Sequence, residues 1–405
     1  MNTETRLLPP DSKLDQILSI SARHFSEKGF EAASLDLIAR EVGLHKATLY
    51  HYVESKYDIL DRCLNRHMAE YADILARIEA RKGSPEDLVR EVFRTHAHAQ
   101  ANEFGACISA VGSEALRHEP AQRIRAFQGK LSDAVTGLLE RGVEEGAFRP
   151  VPAATAAQLA IGSFNWIWRW RKPSVAPGLD AIVEDFLDLF FNGFALGPTP
   201  VPPHQMATHT SEPGSQLKEK HRSLLMTAAR MFSENGYEAT SLGEIADEVG
   251  LHKATLYHYV RNKATILAQC LEVSFDGVEE LEANLSDRNR DAVRNFCEFL
   301  EHLVEAQNND FGRCLNLIGP APLKGEARDR IRKFQRRLQL MLEQILGQGR
   351  EARLFRDDIS ITLTASFIFG ATNWVPHWLR TTPGCSTADL LPAFEDIFLN
   401  GIRQR

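Results

Sequence analysis

Excess positive charge, long apolar runs and patterned cysteines are all missing from this 405-residue sequence. Lysine and arginine total 47 against 54 acidic residues, a formal charge of −7, which excludes a generally basic chain that coats polyanions. Any nucleic-acid contact therefore has to come from a small local surface. No apolar run approaches the ~18 residues a membrane span requires. The amino-terminal MNTETRLLPPDSK holds no apolar segment of the signal-peptide kind, and the expected compartment is the cytoplasm. Six cysteines without a CxxC pair supply neither a disulfide framework nor a zinc ribbon. Enzyme signatures are absent as well: there is no HExxH, GxSxG, Walker loop or GxGxxG, so no catalytic activity and no cofactor is expected. His96 and His98 stand two apart and point to different faces of a helix, a poor metal pair.

What the chain does have is a copy of itself. The segment EVGLHKATLYHYV runs over Glu41–Val53 and again over Glu248–Val260, thirteen identical residues at an offset of 207. Phe25/Phe232, Gly29/Gly236, Lys56/Lys263, Cys63/Cys270, Cys107/Cys314 and Phe127/Phe334 keep that offset. After one inserted residue it becomes 208, pairing Asn165–Trp166 with Asn373–Trp374 and Asn192–Gly193 with Asn400–Gly401. Residues 197–216 lie between the copies with prolines at 198, 200, 202, 203 and 213, a composition that favours extended polyproline II over a packed core. The organisation read from this is a first head at 1–60, a first helical domain at 61–196, the linker at 197–216, a second head at 217–267 and a second helical domain at 268–405.

Inside each copy the periodic signals are helical, and the fold class is all-α. Leu14, Ile17, Leu18, Ala22 and Phe25 form an i, i+3, i+4 stripe, repeated by Leu224, Leu225, Ala229 and Phe232. Gly29 and Gly236 sit where that helix should stop. Ser34 and Ser241 are N-cap candidates for a short second helix, and Glu244 completes a capping box in the second copy only.

Helix Ser34–Glu41, a turn at Val42–Gly43–Leu44 and helix His45–Tyr52 have the punctuation of a helix-turn-helix. His45, Lys46 and Thr48 open the second helix, the end that enters a major groove. Lys46 suits guanine acceptors or a phosphate, and Ala47 or the Thr48 methyl suits a thymine methyl. Tyr50 and His51 suit backbone phosphates, as does Lys56 at the start of a further helix. A solvated helical corner is the plain alternative, since residues 13–56 carry six basic and six acidic side chains.

Leu14–Leu60 and Leu224–Leu267 resemble the DNA-binding domain of TetR-type transcriptional regulators: Phe-Ser-Glu-x-Gly, then Ile-Ala-x-x-Val-Gly, then Thr-Leu-Tyr-His-Tyr-Val-x-x-Lys. The resemblance implies DNA contacts at Thr48/Thr255, Tyr50/Tyr257, His51/His258 and Lys56/Lys263, with Tyr52/Tyr259 as a core aromatic. By the repeat, Ser241, His252 and Lys253 join Ser34, His45 and Lys46. Thr240 is a further expected phosphate contact where the first copy has Ala33. Such regulators work as two-fold dimers on palindromes. Here both halves belong to one chain, so the expectation is a monomeric pseudo-dimer joined through Ile182–Phe194 and Leu390–Ile402, reading a near-perfect inverted repeat with equivalent lysines.

The helical domains diverge more. Asn165-Trp166 with Trp170, Arg171, Lys172 and Pro173 is similar to TetR-type regulators that answer to acyl-CoA thioesters; the second copy keeps Asn373, Trp374 and Trp378 but puts Pro376 in the helix. These tryptophans are either core or the wall of an effector cavity. Phe104/Phe311, Cys107/Cys314 and Phe127/Phe334 are further candidate lining residues. Two other readings stay open: a helical ligand- or partner-binding protein without DNA binding, and a regulator that answers to cationic drugs.

Overall fold

A computed structural model describes residues 12–30, 33–111, 118–167, 178–202, 216–237, 239–252, 255–256, 260–273, 275, 278, 281–282, 291–317, 322–379 and 386–404. Its helices in the first copy are α1 Lys13–Lys28, α2 Leu35–Val42, α3 Lys46–Leu49, α4 Lys56–Ala69, α5 Ala72–Glu79, α6 Pro85–Ala101, α7 Glu103–Val111, α8 His118–Glu144, α9 Ala153–Asn165 and α10 Leu179–Asn192. The second copy contributes α11 Gln216–Asn235, α12 Leu242–Val249, α13 Lys263–Val273, α14 Ala292–Asn308, α15 Asp310–Leu317, α16 Gly325–Glu351, α17 Ile361–Trp378 and α18 Thr387–Asn400. Among the described residues there is no strand beyond two isolated bridges, and no helix is long and apolar enough to cross a membrane.

The helix boundaries follow from capping chemistry. The Ser12, Ser34, Ser55 and Ser84 hydroxyls each accept a backbone N–H from the first turn of α1, α2, α4 and α6, satisfying a donor that has no intrahelical partner. Ser241 caps α12 reciprocally with Glu244, as expected for the second copy. Gly29 and Gly43 end α1 and α2 at φ +87° and +76°, where a side chain would meet its own backbone.

The chain divides into two compact units. The first comprises Met1–Leu138 with Phe164–Val183, the second Leu139–Ser163 with Glu184–Arg405. In the first, α1, α2 and α4 close on Ile17, Phe25, Ile38, Leu49 and Leu60, and α7 packs against α1 and α4 through Cys107 and Ile108. In the second, α11–α13 and α15 repeat this core with Leu224, Phe232, Ile245, Leu256 and Cys314.

The second unit also contains carboxyl-terminal parts of the first copy, and here the two copies meet by a reciprocal set of bonds. Phe194 N–H donates to the Phe398 carbonyl at 3.0 Å, and Ile402 N–H to that of Phe190 at 3.2 Å. Ala195 N–H donates to Leu399 O and Arg403 N–H to Phe191 O, both at 2.9 Å. Arg149 N–H reaches Ile402 O and Arg356 N–H reaches Phe194 O, again both at 2.9 Å. The guanidinium of Arg149 pairs with Asp396 at 2.6 Å, and that of Arg356 with Asp188 at 2.7 Å. Each contact has a partner related by the repeat offset, which is the signature of a two-fold isologous interface.

Helices α9 and α17 cross in the same unit with almost no side chain between them. A Cβ on Gly162 would lie 2.5 Å from the Trp374 Cβ, and one on Gly370 would lie 2.7 Å from the Ser163 Cα. Ser163 Oγ–H bonds the Phe367 carbonyl across the crossing at 2.9 Å. Pro376 lies inside α17, which continues to Trp378.

Candidate functional site

The second helix of the helix-turn-helix is held by two buried anchors. Leu49 and Val53 are 0% and 1% exposed, whereas His45, Lys46, Ala47, Tyr50 and His51 all face outward and Thr48 is half-buried. Gly43 in the left-handed region lets Leu44 N–H return to the Ala39 carbonyl at 2.8 Å, which turns the chain between α2 and α3. The helix is shorter than the expected His45–Tyr52: α3 spans Lys46–Leu49, and the chain then tightens, with His51 N–H bonding Thr48 O and Tyr52 N–H bonding Leu49 O. That tightening carries Tyr52 outward to 38% exposure, so it is not the core aromatic the resemblance implied. In the second copy His252 is exposed, Thr255 is half-buried and Leu256 and Val260 are the buried anchors; Lys253, Tyr257, His258 and Tyr259 lie outside the described residues.

Several expected contacts are turned inward. Thr240 is 2% exposed and its hydroxyl bonds the Gly236 carbonyl at 2.9 Å, so it packs where Ala33 packs in the first copy and is not a surface phosphate contact. The Lys56 ammonium donates to the Phe30 carbonyl at 2.9 Å and stands over the Phe30 ring, 4.8 Å from its centroid. Lys263 repeats this on Tyr237 at 2.7 Å and 4.4 Å. Both lysines tie the helix after the reading element to the end of the first helix. The Ser34 hydroxyl accepts Asp36 N–H, and Ser241 is engaged in its capping box. Lys46 pairs with Asp36 at 2.9 Å, both half-exposed, and that bond raises the lysine pKa.

The expected effector residues separate into three places. Phe104 and Cys107, like Phe311 and Cys314, belong to the head cores and therefore couple head to helical domain. Burial holds the Cys314 thiol up near pKa 12, and Cys63 is raised by its bond to Cys107 and by burial, so these are packing groups, not reactive thiolates. Trp374 sits at the α9–α17 crossing, donating its indole N–H to Gln158 Oε1 at 2.9 Å and stacking on His377 at 4.7 Å. Trp378 is buried, Trp166 is half-buried, and Trp170 and Arg171 lie outside the described residues.

Asn165 is brought into a buried polar chain that residue spacing did not reveal. Its Oδ1 receives His96 Nε2–H at 2.9 Å and Gln100 Nε2–H at 3.2 Å. A neutral His96 that donates through Nε2 accepts through Nδ1, so the Tyr71 hydroxyl, 2.8 Å away, is the donor there. Phe127 packs edge-on to Tyr71 at 4.9 Å, and His67 adjoins both rings. His67 is 3% exposed, and burial lowers its pKa to about 4. The second copy keeps only the last link: Gln307 donates to Asn373 at 2.7 Å, while Val278 and Leu303 replace Tyr71 and His96. Phe334 is buried and stacks on Phe275 at 3.9 Å. The one signal available in advance was the Ala-Gln pair at 99–100 and 306–307, which keeps the repeat offset.

Residues 17–63 and 224–270 match the family model described as bacterial regulatory proteins, tetR family. Residues 82–194 and 279–402 match that of the tetracyclin repressor-like C-terminal domain. The HTH-type transcriptional repressor KstR2 of Mycobacterium tuberculosis is 28% identical over 195 residues, 46% of this chain and 94% of the relative. The fatty acid metabolism regulator protein of Bacillus subtilis is 22% identical over 197 residues, 47% and 99% of the two chains. Among solved structures, AibR in complex with isovaleryl coenzyme A and operator DNA aligns at 23% identity and TM-score 0.40, covering 44% of this chain and 97% of its own. Each relative thus spans about half of the present sequence.

Proposed function

Because this chain belongs to the tetR family of bacterial regulatory proteins, we propose that it is a ligand-responsive repressor that sets two reading heads, identical over thirteen residues, on an inverted-repeat operator. The observation that carries the reading is the first head: Leu49 and Val53 fill the core, which leaves His45, Lys46, Tyr50 and His51 on one exposed element after a tight turn. The first turn of such an element enters a major groove, and the aromatic hydroxyl and imidazole behind it donate to phosphates. Relatives named as a transcriptional repressor and a fatty acid metabolism regulator support repression and an acyl-type effector.

Effector binding shifts the population toward a form that fits DNA poorly, and only by its differential affinity for that form. Tyr71, His96, Asn165 and Gln100 bring hydrogen-bonding groups together, which supports an effector that carries acceptor oxygens, such as a thioester. The first copy offers hydrogen-bonding groups to such a ligand where the second offers Val278 and Leu303, so the two domains answer unequally.

The test is selection of duplexes from a random pool by the full chain, followed by release with acyl-CoAs. The reading expects an inverted repeat with half-sites about 34–36 Å apart, freed by a thioester. Recovery of no duplex would leave a helical ligand-binding protein instead.

A further inference from the structure

The two reading elements are identical in sequence, but what stands beside them is not. Asp36, in the first turn of α2, holds the Lys46 ammonium at 2.9 Å on the exposed face of the first head. The residue at the same place in the second copy is Gly243, which has no side chain to hold a lysine. The neighbouring carboxylate, Glu244, is already engaged, accepting Ser241 N–H at 2.8 Å in the capping box.

We propose that Asp36 is a specificity-determining residue that restrains Lys46, so that the first head binds its half-site more weakly than the second and the protein reads its operator asymmetrically. Two effects have the same sign. Lys46 has to leave its carboxylate partner before it reaches a base or a phosphate, and Asp36 then faces the phosphate backbone as a like charge. An exposed ion pair of this kind is weak, so the difference is a few-fold and shrinks with salt. This inference rests on the DNA-binding reading, and it replaces the expectation of equivalent lysines drawn from sequence identity.

The experiment titrates an inverted-repeat duplex, recovered by the wild-type chain from a random pool, with wild type, Asp36→Asn, Gly243→Asp, Lys46→Ala and Lys253→Ala at 50 and 200 mM salt. Asp36→Asn should tighten binding about two- to fivefold at the lower salt and less at the higher. Gly243→Asp should weaken it by a similar factor. An acidic residue in the first turn favours a helix, and a thermal melt of Gly243→Asp equal to that of wild type assigns the loss to DNA contact and not to folding. Lys253→Ala should cost more than Lys46→Ala, and the two should become equal when Asp36→Asn is also present. If Asp36→Asn weakens binding or leaves it unchanged, or Gly243→Asp has no effect, the inference fails while DNA binding stands. If the wild-type chain recovers no duplex, DNA binding and this inference fall together.

Discussion

Leu49 decides what the reading element shows, because one fully buried leucine in a four-residue helix turns every other side chain outward or to the rim. His67 is its counterpart in the helical domain, a neutral imidazole among Tyr71 and Phe127 rings. Its pKa falls from 6.5 to about 4 through burial. Between those values the unfolded chain binds a proton that the folded chain does not, so stability contributed above pH 6.5 is lost as the pH falls toward 4. The shift corresponds to about 3 kcal/mol at most. Urea unfolding across pH 4–7 should show that decline in the wild type and a flatter profile in His67→Leu; parallel profiles would remove the group from the account. Single residues were also where the sequence was least legible. Thr240 and Lys56 carry surface chemistry, yet both spend it on nearby backbone carbonyls, at Gly236 and Phe30. No local pattern announces that choice. His96 looked like half of a failed metal pair because its partner Asn165 is 69 positions away.

At the scale of elements the text was clearer, because caps and apolar stripes act locally. Serine caps, the glycine at φ +76° and the Ile38/Ala39/Val42 face of α2 could all be read from spacing alone. The α9–α17 crossing could not, since Gly162 and Gly370 look like ordinary helical glycines until the partner backbone is placed beside them. The place of Trp374 at that crossing was hidden for the same reason, its partner Gln158 lying 216 positions earlier. Gly370→Ala forces a methyl to within 2.7 Å of the Ser163 backbone and should destabilise by about 1–3 kcal/mol. Gly129→Ala, in α8 with nothing near its Cβ, should instead stabilise by about 0.5–1 kcal/mol. Thermal melts of the two variants check both signs, and a neutral Gly370→Ala would mean the helices do not cross this closely.

For the whole molecule the decisive sequence fact was the duplication, and the structure gives it a physical consequence. The reciprocal bonds at Phe194/Ile402, Ala195/Arg403 and Arg149/Arg356 form between two halves of one polypeptide, so these contacts between the copies are intramolecular. The duplication and the all-α class were legible because identity over thirteen residues and apolar stripes at helical spacing need no tertiary information. The divergence of the helical domains was legible too, whereas the difference between the heads was not, because it rests on what stands beside the identical segment: Asp36 beside Lys46. One measurement bears most directly on the central claim, the mass of the complex formed on an inverted-repeat duplex, read by analytical ultracentrifugation. A single 45.4 kDa chain per duplex is the predicted result, at every protein concentration that saturates the DNA. Two chains per duplex, each leaving one head unused, would contradict it.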